Sequence, residues 1–149
     1  MYSSLYIANK FIDIAKEGNK YLTPMQLIKL VYIAHGWSMA LNDKQLVAED
    51  VIAWKYGPVI PELYREIKSY RANNITKRIN VSDNLDIKNE DVELIKEVYN
   101  KYGKFDGLEL SAITHKKGSP WSRTWERNPW GVIPDADISD YYKMLLASV

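Results

Sequence analysis

Residues 24–41, Pro-Met-Gln-Leu-Ile-Lys-Leu-Val-Tyr-Ile-Ala-His-Gly-Trp-Ser-Met-Ala-Leu, form an apolar run interrupted chiefly by Gln26, Lys29, His35 and Ser38. A helix apolar on nearly every face has no side to offer water, so it belongs at the centre of whatever the chain builds. At about eighteen residues carrying those polar groups it is marginal for a bilayer span, and a buried core helix is the better reading. Thr23-Pro24-Met25-Gln26 supplies an N-cap, a proline at the first helical position and a Gln able to close a capping box. Gly36 inside such a helix costs about 1 kcal/mol relative to alanine. A second backbone crossing at that point is the expected reason.

The rest of the chain reads as more helices around this one. Residues 4–16 form an amphipathic helix capped by Ser3 or Ser4, with Leu5, Ala8, Ile12 and Ala15 inward and Gly18 as its stop. Leu46-Val47 and residues 50–56 are β-branched and aromatic enough for a short strand, stopped by Gly57-Pro58. A third helix begins near residues 58–61 and continues to Tyr70, turning Val59, Leu63 and Ile67 inward. Residues 71–82 show little periodicity except Ile79-Asn80-Val81, which could pair with the earlier strand.

A fourth helix, capped by Asn89 with Glu90 and Asp91 in its first turn, runs to Tyr102 and buries Val92, Ile95, Val98 and Tyr99. Asp106-Gly107-Leu108-Glu109 has the form of a capping box opening a fifth helix through Thr114. A short helix over 119–127 and a last one over 138–147 follow, separated by Asn128-Pro129-Trp130-Gly131. The expected fold class is therefore mainly α, with a short two- or three-stranded antiparallel β element. At 149 residues the chain fits a single domain, 1–149.

Composition narrows the function classes. Absence of cysteine excludes disulfides, thiolate metal sites and a Cys nucleophile, and suits a reducing compartment. No basic region precedes an apolar stretch at the N-terminus, so no signal peptide is read and cytoplasm is the expected location. Twenty basic and nineteen acidic side chains leave +1, which provides no global field for nucleic acid or anionic lipid. Five Trp and eleven Tyr against two Phe favour side chains with polar tips, suited to the rim of a core or to a protein-binding surface.

Candidate chemistry is sparse. His35 and His115 lack any metal-ligand spacing. A satisfied, half-buried or buried role is expected for His35, and a helix-end role for His115. There is no Gly-x-Ser-x-Gly elbow and no phosphate loop. Glu49-Asp50 and Glu90-Asp91 are expected to be solvated charge, since sequence neighbours do not face each other on a helix. Two basic groups, Lys68, Arg71, Lys77 and Arg78, and Lys116, Lys117, Arg123 and Arg127 around Trp121 and Trp125, could touch phosphate. No helix-turn-helix recognition face accompanies them, so nucleic-acid binding is disfavoured. No catalytic residue, metal or cofactor is expected.

Three blocks together resemble a known family. Leu27-Ile28-Lys29-Leu30-Val31-Tyr32-Ile33-Ala34-His35-Gly36-Trp37 is similar to the "L-x-K-L-L-Y-F-A-Q-G-W" helix of the Panacea family, also described as SocA-like antitoxins or GepA phage-associated proteins. Trp54-Lys55-Tyr56-Gly57-Pro58-Val59-Ile60-Pro61 with Tyr64 resembles its "W-x-Y-G-P-V-x-P-x-x-Y" block, and Leu110-Ser111-Ala112-Ile113-Thr114-His115 with Pro120-Trp121 its "L-S-x-x-T-H … P-W" block. The motif positions are Leu30, Tyr32, Gly36, Trp37, Trp54, Tyr56, Gly57, Pro58, Thr114, His115 and Trp121. His35 stands where many members have Gln.

The resemblance implies a helical, non-enzymatic antitoxin that neutralises a cognate protein toxin, which is expected to be encoded next door. Direct binding is the expected mechanism, with delivery to an ATP-dependent protease as an adaptor mode. A phage accessory protein without a toxin, or a nucleic-acid-binding factor of a mobile element, are the competing readings. Trp54, Tyr56, Tyr64, Trp121 and Trp125 are the candidate protein-interaction residues, because Trp and Tyr carry most interface energy. The same positions could equally serve the core.

Overall fold

Helix α2 (Pro24–Asn42) is the axis around which the other elements pack. The computed structural model describes residues 1–81 and 86–148; Ser82, the end of the aperiodic stretch, and Val149 lie outside them. Around α2 stand α1 (Ser4–Glu17), α4 (Asn89–Tyr102), α5 (Gly107–Thr114) and α7 (Asp135–Ala147), with α3 (Pro61–Ile67) and α6 (Pro120–Arg127) at the margin. A two-stranded antiparallel hairpin, β1 (Ile52–Trp54) and β2 (Gly57–Val59), projects between α2 and α6. The architecture is mainly α with a small antiparallel sheet.

Local chemistry explains why these helices start where they do. Gln26 N donates to Thr23 Oγ1 at 3.4 Å and Thr23 N to Gln26 Oε1 at 2.9 Å. The same reciprocal box holds α5, where Glu109 N donates to Asp106 Oδ1 at 2.8 Å and Asp106 N to Glu109 Oε1 at 3.0 Å. Each such cap is worth about 1 kcal/mol. Packing supplies more: Leu27, Leu30, Tyr32 and Ile33 of α2 are buried against Ile7 and Phe11 of α1 and Ile95 of α4 in one core, and fully burying an aliphatic side chain contributes roughly 1.5–3 kcal/mol.

Several expectations are corrected. Gly57-Pro58 does not stop a strand but begins β2, because the chain reverses at Lys55-Tyr56 and pairs Trp54 with Gly57. Ile79-Asn80-Val81 does not join the sheet: the Asn9 side chain clamps Ile79, accepting from its N–H at 2.7 Å and donating to its carbonyl at 2.9 Å. Residues 130–133 run beside β1 instead, with Trp130 N donating to Ala53 O and Ala53 N to Gly131 O. Helix α3 ends at Ile67 and continues to Tyr70 as a 3-10 turn.

Lys88, not Asn89, is the cap residue of α4, and it contributes no side-chain bond. Leu94 and Tyr102 are buried on that helix while Val92 and Tyr99 are only half-buried. Helix α7 starts at Asp135, three residues before the expected Ile138, because Pro134 presets its entry. The approach at Gly36 is made by a ring, not a backbone: a Cβ there would lie 2.3 Å from two Tyr142 ring carbons.

Asp50 and Glu90 are exposed as expected, whereas Glu49 and Asp91 depart from the solvated role. Glu49 accepts from Ser4 N at 2.9 Å and from Ser4 Oγ at 2.7 Å, so it caps α1 from a distant loop. Asp91, 1% exposed, accepts from Tyr2 OH at 2.7 Å and pairs with Lys44 at 3.0 Å. That carboxylate holds Lys44 above the usual lysine value.

Candidate functional site

The hairpin is a short two-stranded element that could not stand alone in water, and side chains from three helices hold it by its carbonyls. Lys29 Nζ of α2 donates to Pro58 O at 3.0 Å, Ser111 Oγ of α5 to Tyr56 O at 2.7 Å, and Trp121 Nε1 of α6 to Trp54 O at 2.6 Å. The three sequence blocks thus converge on one turn. Gly57 has φ +123°, a backbone conformation that requires glycine, and a Cβ there would also press on Lys29 Nζ at 2.8 Å. Thr114 is buried with its hydroxyl on Leu110 O at 2.9 Å. His115 closes α5, its Nδ1 bonded to Ser111 O and its ring edge-on to Trp121 at 5.3 Å.

This support carries a continuous run of ring contacts, buried at Trp121 and exposed at Trp130. Tyr64 packs edge-on to Trp54 at 5.0 Å, Trp54 meets Trp130 at 6.4 Å, Trp130 meets Trp125 at 5.4 Å, and Trp125 stacks on Trp121 at 5.5 Å. Beside it lies a groove of about 380 Å³ lined by Pro24, Met25, Ile28, Lys29, Trp54, Lys55, Tyr56, Val59, Tyr64, Arg71 and Trp130. Tyr56 is 64% exposed and Trp130 59%. Trp130 and Arg71 hold φ values of +69° and +55°, a left-handed region uncommon for residues with side chains. Such strain persists where surrounding structure over-determines it, and it concentrates at functional sites.

Lys29 is the unusual charge of the site. It is 3% exposed, and burial alone lowers its pKa from the ordinary 10.5 to about 7. Desolvation favours the uncharged amine, and no carboxylate pairs with it among the described residues. His35, by contrast, is fully partnered away from the groove. Its Nδ1 accepts from Leu46 N at 3.3 Å and Val47 N at 3.2 Å, which places the proton on Nε2, bonded to Asp135 Oδ1 at 3.0 Å. That bond, ahead of a smaller opposing effect of burial, holds the Asp135 carboxyl below its usual value.

The structure brings Trp54, Tyr56 and Tyr64 together on the groove. Trp121 is buried and faces the hairpin backbone, whereas Trp125 is half-buried, stacked on Trp121 and edge-on to Trp130. Tyr32, Gly36 and Trp37 lie elsewhere, around Tyr142 of α7, and Leu30 is in the core. Sequence reading missed Trp130, Arg71 and Lys29 as groove residues. Lys29 had a local signal, a cation inside an otherwise apolar helix, and Arg71 was read only as part of a basic group. The two basic groups are partly neutralised by Arg78 on Asp13 at 2.9 Å and Arg127 on Asp137 at 3.6 Å. Among the described residues no three His, Asp or Glu side chains gather as a metal site, and no helix is long and apolar enough to cross a membrane.

The family described as antitoxin SocA-like, Panacea domain, matches residues 27–122, the span of the three motif blocks that hold the aromatic turn, and the chain belongs to it. A curated relative, Antitoxin SocA of Caulobacter vibrioides (strain NA1000 / CB15N), is 31% identical over 127 residues, covering 77% of this chain and 66% of the relative. The chain therefore spans just under two thirds of that relative's length. No solved structure matches the chain. Family membership supports an antitoxin-type role.

Proposed function

We propose that residues 1–149, acting as one domain, neutralise a protein toxin by binding it directly through the face formed by the hairpin, α3 and residue 130. Trp54, Tyr56 and Tyr64 are the anchors in this reading, and Trp121 and Trp125 brace them from behind. The observation that carries it is the exposed aromatic groove, lined by two of the four described non-glycine residues at positive φ, Arg71 and Trp130. Interfaces concentrate their energy in Trp, Tyr and Arg side chains seated near their centre. In this reading the chain is a binder and not an enzyme, and capture of the toxin could be followed by delivery to an ATP-dependent protease.

The test is growth of cells expressing the open reading frame next to this gene, alone and with this chain, followed by co-purification. Toxicity relieved by a stable complex supports sequestration, and relief accompanied by loss of the toxin supports the adaptor mode. Trp54→Ala is expected to abolish rescue while circular dichroism retains the helical spectrum. A harmless neighbour with no co-purifying protein overturns the adjacent-pair version of this reading and favours a phage accessory protein without a toxin.

A further inference from the structure

The groove has a charge as well as a shape. Lys29, Lys55 and Arg71 line it without an acidic lining residue, and none of the three has a carboxylate partner among the described residues. Lys55 lies over the Tyr56 ring at 5.5 Å, and Lys29 uses one of its N–H groups on Pro58 O. A second hollow of about 390 Å³ shares Met25 and Arg71 with the first and extends it past Ala72 to Leu108, which is largely exposed. Its one acid, Asp106, is engaged in the α5 capping box. The two hollows adjoin at Met25 and Arg71, which line both, and together form a mainly apolar trough with Arg71 where they meet.

Resting on the reading of this chain as a direct binder, we propose that the trough takes an extended segment of the partner, which seats an aliphatic or aromatic side chain among Trp54, Tyr64 and Trp130 and sets an Asp or Glu carboxylate against Lys29 and Arg71. Charge complementarity selects that occupant over a purely apolar one. The buried Lys29 amine has no counter-ion among the described residues, and a carboxylate arriving beside it stabilises its protonated form. Arg71, held at positive φ on the rim, offers a planar fork to the same group. The partner segment therefore supplies what the free protein lacks.

The test is selection of a phage-displayed library of short random linear peptides on this chain, with the winners resynthesised and titrated. Winners are expected to pair an apolar anchor with an Asp or Glu. Replacing that acid by its amide, or Lys29 by Met, should weaken binding by about tenfold or more, as expected for breaking a buried charge pair. Arg71→Gln, on the exposed rim, should weaken it only a few-fold. The amide-substituted peptide reads the charge independently of whether Lys29→Met folds. No enriched peptide, winners without acids, or winners indifferent to the amide overturn the proposal. Toxin rescue separates the two readings: if Trp54→Ala abolishes rescue while these acid tests fail, direct binding stands and acid recognition falls.

Discussion

Tyr32, Trp37 and Tyr142 meet edge-on between α2 and α7, with ring centroids 5.2 and 6.2 Å from Tyr142, and all three are buried. Trp54, Tyr64 and Trp130 meet just as closely beside the hairpin, yet Trp130 is mostly exposed and its backbone is at positive φ. Residue types and ring geometries are alike in the two clusters. What differs is what covers them: α7 closes the first, and nothing in the chain closes the second among the described residues. An aromatic cluster that the protein itself seals contributes stability, whereas one held open by a dedicated scaffold is available to a partner.

The comparison breaks first if the sealed cluster proves dispensable. Tyr142→Ala removes the ring against which Tyr32, Gly36 and Trp37 pack and should cost about 3–5 kcal/mol, read as a lowered urea midpoint. Gly36→Ala pushes a methyl into the same ring and should cost about 1–3 kcal/mol in the same assay. A near-neutral result for both would show that α7 is only loosely docked on α2.

The open cluster has its own signature in pH. Between about pH 7 and the ordinary lysine value, the unfolded chain carries a proton on Lys29 that the folded chain does not, so stability rises with pH across that window. Below about pH 7 both states are protonated and the full cost of burying the charge remains. Subtracting the Lys29→Met curve from that of the wild type isolates the effect. A difference flat from pH 7 to about 9.5 would mean that Lys29 keeps its proton in the folded state. The smallest expected change is at Trp130→Gly, where relief of the left-handed backbone offsets lost ring contacts. Stability should move by less than about 1 kcal/mol while toxin neutralisation falls.

Legibility from sequence followed the range of the interactions. The Thr23 and Asp106 caps lie within three residues of their partners, so their chemistry is written locally and both boxes form as read. The need for a close approach at Gly36 was legible, but its source, a ring more than a hundred residues away, was not. The same holds for Lys29. Its buried place in an apolar helix could be read, whereas its acceptor, Pro58 O, is set by how the hairpin folds back on α2. Trp130 was hidden most completely, because a Pro-Trp-Gly break reads as a loop. Only the pairing of residues 130–133 with β1 turns that loop into a wall of the groove. Asp91 misled for the opposite reason: its position predicts helix-start electrostatics, but Tyr2 and Lys44 draw it inward.

The central claim is that the hairpin face, and not the α2–α7 side, meets the toxin. Amide hydrogen exchange on this chain, free and in complex with the partner recovered by the co-expression test, addresses that claim directly. The account predicts new protection at residues 52–60, 64–71 and 130, with the amides of α7 unchanged. Protection confined to α7 and the exposed side of α4, with the hairpin exchanging as in the free protein, would contradict it.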